Sequence, residues 1–264
     1  MLVVGVWSST LNDSNFLIAL VASLPPVTVA RATCQEVVRQ GDEVDLGMLP
    51  IPVWTPGRDP APYITTCVVN RHAVTGVQNM GVYRTQVRDA RSVIVNLAPG
   101  RQGHACARSY LDQGKPAPIA WVIGAEPAVY LAAVANLPMG VDELTVAGGL
   151  QGAPVELVRA KTSDLLVPAS AEIIIEGEVL PGEMAPEGPF GESAGYMSDV
   201  EAKPVARITA ITHRRDAIFY GLASQMPPSE STTLQSLSNA GLILKTLRHD
   251  HGESTVRDCG IELM

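Results

Sequence analysis

Aromatic side chains are scarce in this chain of 264 residues: three Trp, six Tyr and three Phe make up 5%. A stacking platform for single-stranded nucleic acid, which uses aromatic rings base by base, has little to be built from. Basic residues are also few, 19 Lys and Arg against 27 Asp and Glu, for a formal net charge of −8. A chain this acidic lacks the positive footprint of a protein that binds duplex nucleic acid or anionic membranes. Cysteine is sparse as well. Cys34, Cys67, Cys106 and Cys259 are scattered, with no CxxC and no ligand-like spacing. They read as ordinary thiols in a reduced, cytoplasmic setting. Long apolar runs are missing too. Residues 17–24 are apolar, but no basic stretch precedes them and Asp13 lies close by, which argues against a secretory signal. Residues 117–141 are interrupted by Glu126, Pro127 and Pro138, so no membrane span is expected there. There is no GxGxxG and no P-loop.

What is present is a globular composition, 46% hydrophobic and 17% charged, with 23 Gly and 20 Pro spread along the chain. The length suits one large or two modest domains. Residues 1–44 look irregular. Strands are predicted at 63–69, at 82–87 after a Thr75-Gly76 turn, and at 92–97. A short helix over 104–111 precedes the apolar strand "PIAWVIGA". A second helix begins near Glu126-Pro127 and ends before Pro138, and "GVDELTVAGGLQG" reads as a third. Further strands are predicted at 154–158, 165–168, 171–180, 205–212 and 217–223. After Pro227-Pro228, a Ser-rich start leads into a helix with Leu234, Leu237, Leu244 and Leu247 on one stripe, and residues 255–263 could open another strand. The sum is an α+β domain rich in strands, over roughly 45–225, with partial flanks.

Three constellations could carry chemistry. In "QNMGVYRTQ", Asn79 and Arg84 are an odd number apart, so a regular strand would aim them at opposite faces; a bend at Gly81 could bring both to one site. In "APEGPFGESAGY", Glu187 and Glu192 bracket a loop stiffened by proline and opened by glycines. With one arginine, two carboxylates can divide labour. The one paired with Arg⁺ stays ionised, while the other, in apolar surroundings, holds a transferable proton. Asn79, His104 and Glu143 together offer a mixed N/O set suited to Mn²⁺ or Mg²⁺, although spacing alone does not join them. Taken singly, each of these also fits a solvated strand, a polar surface turn or a structural histidine.

Taken together, "PYITTCVV…TGVQNMGVYRTQ", "LPMGVDELTVAGGLQGAPVELVRAKTSDLLVPASAEIIIEGEVLPGE" and "PEGPFGESAGYMSD" resemble the UbiD family of reversible decarboxylases, over about residues 35–247. The resemblance implies a split β-barrel, related to flavin reductases, that binds prenylated FMN over 45–225. Residues 1–44 would then be a remnant of an N-terminal α/β region, and 226–264 a linker helix and the start of a C-terminal domain. It implies a Glu-Arg-Glu catalytic set of Arg84, Glu187 and Glu192, with Glu192 as proton donor and Arg84–Glu187 as the supporting ion pair. Asn79, His104 and Glu143 would hold a divalent metal, usually Mn²⁺, against the cofactor phosphate, and Thr65, Gly81 and Val82 would contact the flavin. Potassium is a further family cofactor; Ala133 and Ala135 stand where some members carry Ser and Met near it. The activity implied is non-oxidative, reversible decarboxylation of an aromatic or α,β-unsaturated acid through a prenylated FMN adduct. A flavin prenyltransferase would supply the cofactor, and a homo-oligomer or a second polypeptide the remaining walls. The alternative is a chain that binds prenylated FMN and metal without turnover on its own.

Overall fold

The computed structural model describes residues 23–138, 140–257 and 259–260. Among them, ten strands and four α-helices follow one another as β1 (Val27–Thr28), β2 (Val37–Gln40), β3 (Tyr63–Arg71), β4 (Gln78–Asp89), β5 (Ser92–Val95), α1 (Gln102–Leu111), β6 (Ala117–Ile123), α2 (Pro127–Val134), α3 (Glu143–Gln151), β7 (Glu156–Arg159), β8 (Leu166–Pro168), β9 (Ile173–Glu187), β10 (Glu201–His213) and α4 (Glu230–Lys245). The large sheet runs β2-β10-β5-β4-β3-β6-β9, and β9 pairs back onto β10. The last pairing closes six antiparallel strands into a barrel, which removes the free edges an open sheet would leave. Register shifts between β9 and β10, at Pro204/Ala206 and Ile208/Ala210, supply the bending that closure needs. β1, β7 and β8 form a separate three-stranded sheet.

The apolar runs become intelligible once the barrel is seen to be covered on its outside. Ile119, Trp121 and Ile123 of β6 join Val68 of β3, Val93 of β5, Ile175 of β9 and Ile208 of β10 in one cluster inside the barrel. Their chain neighbours Ala120, Val122, Cys67, Val69 and Ile174 join a second cluster with Val129, Leu144, Ala147 and Val167, under α2, α3 and the small sheet. Both faces are buried, so the period-2 alternation separates two cores rather than core from solvent. Trp121 is fully buried, and its indole N–H donates to Thr85 Oγ1 at 2.8 Å. Gly177 of β9 has no room for a side chain: a Cβ there would sit 2.6 Å from the Arg207 carbonyl oxygen of β10 and 3.2 Å from the Trp121 ring. Gly177→Ala is therefore expected to cost about 2–3 kcal/mol by overpacking. Thermal denaturation should show a Tm lower by roughly 5–10 °C.

Helix ends position the cavity wall. Asp142 caps α3 by accepting from Leu144 N–H at 2.9 Å, and Gly152 ends the helix in the left-handed region at φ 72°. Ser229 and Thr232 form a reciprocal capping box on α4, whose Ser238 hydroxyl donates to Leu131 O of α2 at 2.8 Å.

Three expectations change. Residues 217–223 form no strand, and Ile218 is exposed. The closed barrel offers that segment only a short stretch at Thr65, whose carbonyl accepts from Leu222 N–H at 3.1 Å. β9 runs past Pro181 to Glu187, because its ladder with β10 resumes at Met184 after an arc in which Gly182 adopts φ 73°. The described part of 1–44 is tied to its surroundings, β1 pairing with β7 and β2 with β10. The apolar run at 17–24 lies almost wholly outside the described residues; so do residues 258 and 261–263 of the strand expected over 255–263, and its described residues are not strand.

Candidate active site

β3 and β4 form an unbroken hairpin ladder from Tyr63↔Gln86 to Arg71↔Gln78. The ladder carries Thr65, Asn79, Gly81, Val82 and Arg84 into the wall of one cavity of about 530 Å³, within the range of small-molecule sites. No bulge interrupts β4 at Gly81, so the bend expected there is absent. The lack of a side chain at Gly81 instead makes room for the Tyr83 ring, which a Cβ would meet at 2.8 Å. Asn79 and Tyr83 lie on one face of β4, Val82 and Arg84 on the other, and the cavity touches both.

Arg84 is the centre of one end. Its Nε and Nη2 donate to the two oxygens of Glu187, each at 2.9 Å, and its Nη1 donates to Glu192 Oε1 at 2.8 Å. Nη2 also reaches Ser198 Oγ at 3.0 Å. Asn96, with its amide oxygen turned to the guanidinium, accepts from Nε and Nη2 at 3.0 Å. Burial alone would lower the pKa of Arg84. The hydrogen bonds and charges of Glu187 and Glu192 outweigh it and hold the pKa above the ordinary value. The Glu187 side chain is fully buried, Arg84 is 13% exposed, and Glu192 is 49% exposed. Both carboxylates thus pair with the arginine, and Glu192 sits half in solvent rather than in the apolar surroundings expected for it.

The loop that presents the two glutamates is pinned to the barrel. Gly188 N–H meets Tyr63 Oη at 3.2 Å and Gln86 Oε1 at 3.0 Å. Phe190 packs on Tyr63 with ring centroids 4.4 Å apart, and Arg84 lies 5.4 Å above the Phe190 ring. Gly188 has φ 99°, and a Cβ there would strike the Asp199 carbonyl at 2.6 Å. Ser198 ties the loop together, since its hydroxyl accepts from Phe190 N–H at 3.1 Å as well as from Arg84.

The other end holds Asn79 and Glu143, both 4% exposed. Glu143 Oε2 accepts from Met80 N–H at 3.2 Å, and burial pushes its carboxyl up to about 7. Asn79 Nδ2 donates to Asn70 Oδ1 at 3.1 Å; Asn70 Nδ2 donates to Gly103 O at 2.7 Å; Gly103 N–H donates to Tyr83 Oη at 3.1 Å. These bonds fix the start of α1 against β3 and β4, so that Gln102 lines the cavity. His104, two residues on, is turned by about 200° about the helix axis. It is absent from the cavity wall, half-buried, and its pKa is lowered by burial and by Arg108, with Asp112 and Lys203 as its other charged neighbours. The expected trio of Asn79, His104 and Glu143 is therefore not assembled. No group of three or more His, Cys, Asp or Glu suited to a metal occurs among the described residues.

Thr65 lines the same cavity, and its buried Oγ1 has no hydrogen-bond partner. Sequence reasoning missed Ser198, Asn96, Gln102 and Tyr83. Hairpin register could have found Asn96, because Thr85↔Val95 pairing places it beside Arg84, whose carbonyl accepts from Asn96 N–H at 3.1 Å.

Comparison with known proteins agrees with this fold. The family described as "UbiD: 3-octaprenyl-4-hydroxybenzoate carboxy-lyase Rift-related domain" matches residues 26–227. An evolved dimeric form of the UbiD-class enzyme HmfF from Pelotomaculum thermopropionicum, solved with prFMN, is 35% identical with a TM-score of 0.83, over 89% of this chain and 55% of that one. The vanillic acid decarboxylase of Sedimentibacter hydroxybenzoicus in its closed form is 29% identical with a TM-score of 0.86, over 91% and 52%. Apo 3,4-dihydroxybenzoic acid decarboxylase (AroY) of Klebsiella pneumoniae is 29% identical with a TM-score of 0.80, over 90% and 52%. The chain spans about half the length of these solved relatives. With a family match over most of its length and a closed six-stranded barrel shared with decarboxylases of that class, the chain belongs to the UbiD family.

Proposed function

We propose that this chain forms the cofactor-binding part of a reversible, non-oxidative carboxy-lyase for aromatic or α,β-unsaturated carboxylic acids, working with prenylated FMN. The observation that carries this reading is Arg84 clamped between Glu187 and Glu192 at the wall of a ligand-sized cavity. A flavin fits the remaining wall: Thr65 Oγ1 is a buried polar atom in want of a partner, and Gly81 and Val82 line the same cavity. Prenylated FMN, when bound, supplies the electron sink a carbon needs as it parts from CO₂.

The residues of this chain govern the proton. Decarboxylation replaces a carboxylate with one hydrogen, so one proton must reach the carbon for each CO₂ released. Glu192 in its acid form delivers it and is left as a carboxylate, which Arg84 Nη1 receives at 2.8 Å. Glu187, fully buried and bidentate, keeps the guanidinium in place for that capture. Half exposure of Glu192 gives it a route to water for the next proton, and in carboxylation the same steps run backwards. Asn79 and Glu143 stand at the far end of the cavity, but His104 does not join them, so no step is drawn through Mn²⁺ at that trio. Ala133 and Ala135 line the cavity without a side-chain oxygen, and none is drawn through K⁺.

Tyr196, Met226 and Val200 are exposed close to the Glu192 loop. A second copy or a second polypeptide covering them would complete the substrate wall. Coexpression with a flavin prenyltransferase, followed by a flavin spectrum and a CO₂-release assay over aromatic and α,β-unsaturated acids, tests the proposal. Bound flavin with CO₂ release is expected; a chain that takes up no flavin would overturn it.

Ser198→Ala should lower kcat about tenfold with KM within roughly twofold, because Arg84 loses an acceptor and Phe190 N–H is left unpaired. Ser198→Thr, which keeps the hydroxyl, should recover most of the rate in the same steady-state assay.

A further inference from the structure

Tyr63 and Gln86 face each other across the β3–β4 ladder, two residues along from the Thr65↔Arg84 pair. Residues two apart on a strand share a face, so this pair stands beside Arg84. The catalytic loop meets the two in turn. Glu187 binds Arg84 through both oxygens, and the next residue, Gly188, donates its N–H to Tyr63 Oη at 3.2 Å and to Gln86 Oε1 at 3.0 Å. Tyr63 Oη itself donates to Gln86 Oε1 at 2.8 Å. Tyr63 is fully buried; burial and then the charge of Glu187 raise its pKa, so the hydroxyl keeps its proton and remains a donor.

The ring of Tyr63 makes a second contact, with Phe190 at 4.4 Å between centroids. Phe190 is the base of a small hairpin. Its carbonyl accepts from Ser198 N–H at 2.8 Å, Gly191 bridges to Met197, and Glu192 N–H donates to Tyr196 O at 2.8 Å. Glu192 rides on this hairpin. Its carboxylate is half exposed, and among the described residues its hydrogen bond is to Arg84 Nη1. Where the acid stands is therefore set by the backbone beneath it and by Arg84, and Tyr63 adjoins the supports of both.

We propose that Tyr63 is a positioning residue for the reaction: with Gln86 it fixes the backbone from Glu187 to Phe190, and through Phe190 the hairpin that carries Glu192. The inference rests on the acid role given to Glu192 above. A group misplaced by about 1 Å can cost ~100-fold in rate, so a support that touches neither flavin nor substrate still governs turnover.

The test uses protein coexpressed with a flavin prenyltransferase. Probe acids are 4-hydroxybenzoate, cinnamate and sorbate, with kinetic constants taken on whichever is turned over fastest. Tyr63→Phe keeps the ring on Phe190 and leaves Gly188 N–H its Gln86 acceptor, so Tm should stay within roughly 4 °C of wild type. Its kcat per bound flavin is expected to fall about 10-fold, with KM within roughly twofold. Gln86→Leu, which removes the other acceptor, should act in the same direction. In a Glu192→Gln background, with product accumulation followed over hours, Tyr63→Phe should change the residual rate by less than about twofold, because the group it positions is gone. Wild-type kcat per bound flavin in both single variants overturns the inference and leaves the acid reading standing. So does a full 10-fold effect repeated on Glu192→Gln, or failure of both single variants to fold, which would assign the pair to the fold alone. Near-normal turnover in Glu192→Gln, or no CO₂ from any probe acid with the wild-type protein, removes the acid reading and this inference together.

Discussion

Glu192→Gln is expected to lower the decarboxylation rate by a factor of roughly 10³ or more while the flavin stays bound. The substitution is nearly isosteric, and the amide oxygen can still accept from Arg84 Nη1 where Glu192 Oε1 does now at 2.8 Å. What it removes is the proton: a carboxamide cannot deliver one to carbon. Because Glu192 is half exposed, the fold should scarcely register the change. Three measurements on one preparation separate the effects: kcat, flavin absorbance per chain, and Tm. Turnover near the wild-type rate in Glu192→Gln would take the acid role away from this residue.

Glu187→Ala should act first on stability. Arg84 is only 13% exposed, and Glu187 supplies two of its strongest bonds. Removing one partner of a buried pair leaves an uncompensated charge, a loss of about 3–5 kcal/mol. Glu192, Ser198 and Asn96 remain as acceptors, which places the expected cost near 3 kcal/mol, a fall in Tm of roughly 6–12 °C. Adding Arg84→Met removes the stranded charge, so the double variant should regain much of the lost stability without regaining activity. A Glu187→Ala protein with wild-type Tm would show that the pair contributes nothing to the fold.

Local patterns foretold most elements. Pro127 at the start of α2, Asp142 and Gly152 at the ends of α3, and Ser229 at the start of α4 are caps whose chemistry acts within a few residues. The strands of the barrel were legible as apolar runs. Their burial on both faces was not, because alternation is hidden when each face has its own core. The strand expected over 217–223 fails for a related reason: composition allows an extended segment, but a closed barrel has little edge to pair it with.

The candidate site divides the same way. Asn79, Arg84, Glu187 and Glu192 were legible because they lie in two short motifs, NMGVYR and EGPFGE. His104 entered as a metal ligand that the resemblance implies, and Gln102 was passed over. Nothing in the spacing of α1 says which of its faces meets β4; the Asn70–Gly103 and Gly103–Tyr83 bonds decide that.

By itself, then, the sequence determined most of the segments that become helices and strands, several of their caps, and which side chains carry acid, base and amide groups. These follow from interactions a few residues long. Only the tertiary structure decided that Arg84 stands between carboxylates 103 and 108 residues away, and that Gln102 rather than His104 faces the cavity. Both depend on the register of β4 against β3 and on closure of β9 onto β10. Register and closure are set by contacts distant along the chain, whose cost is loop entropy and whose reward is two packed cores.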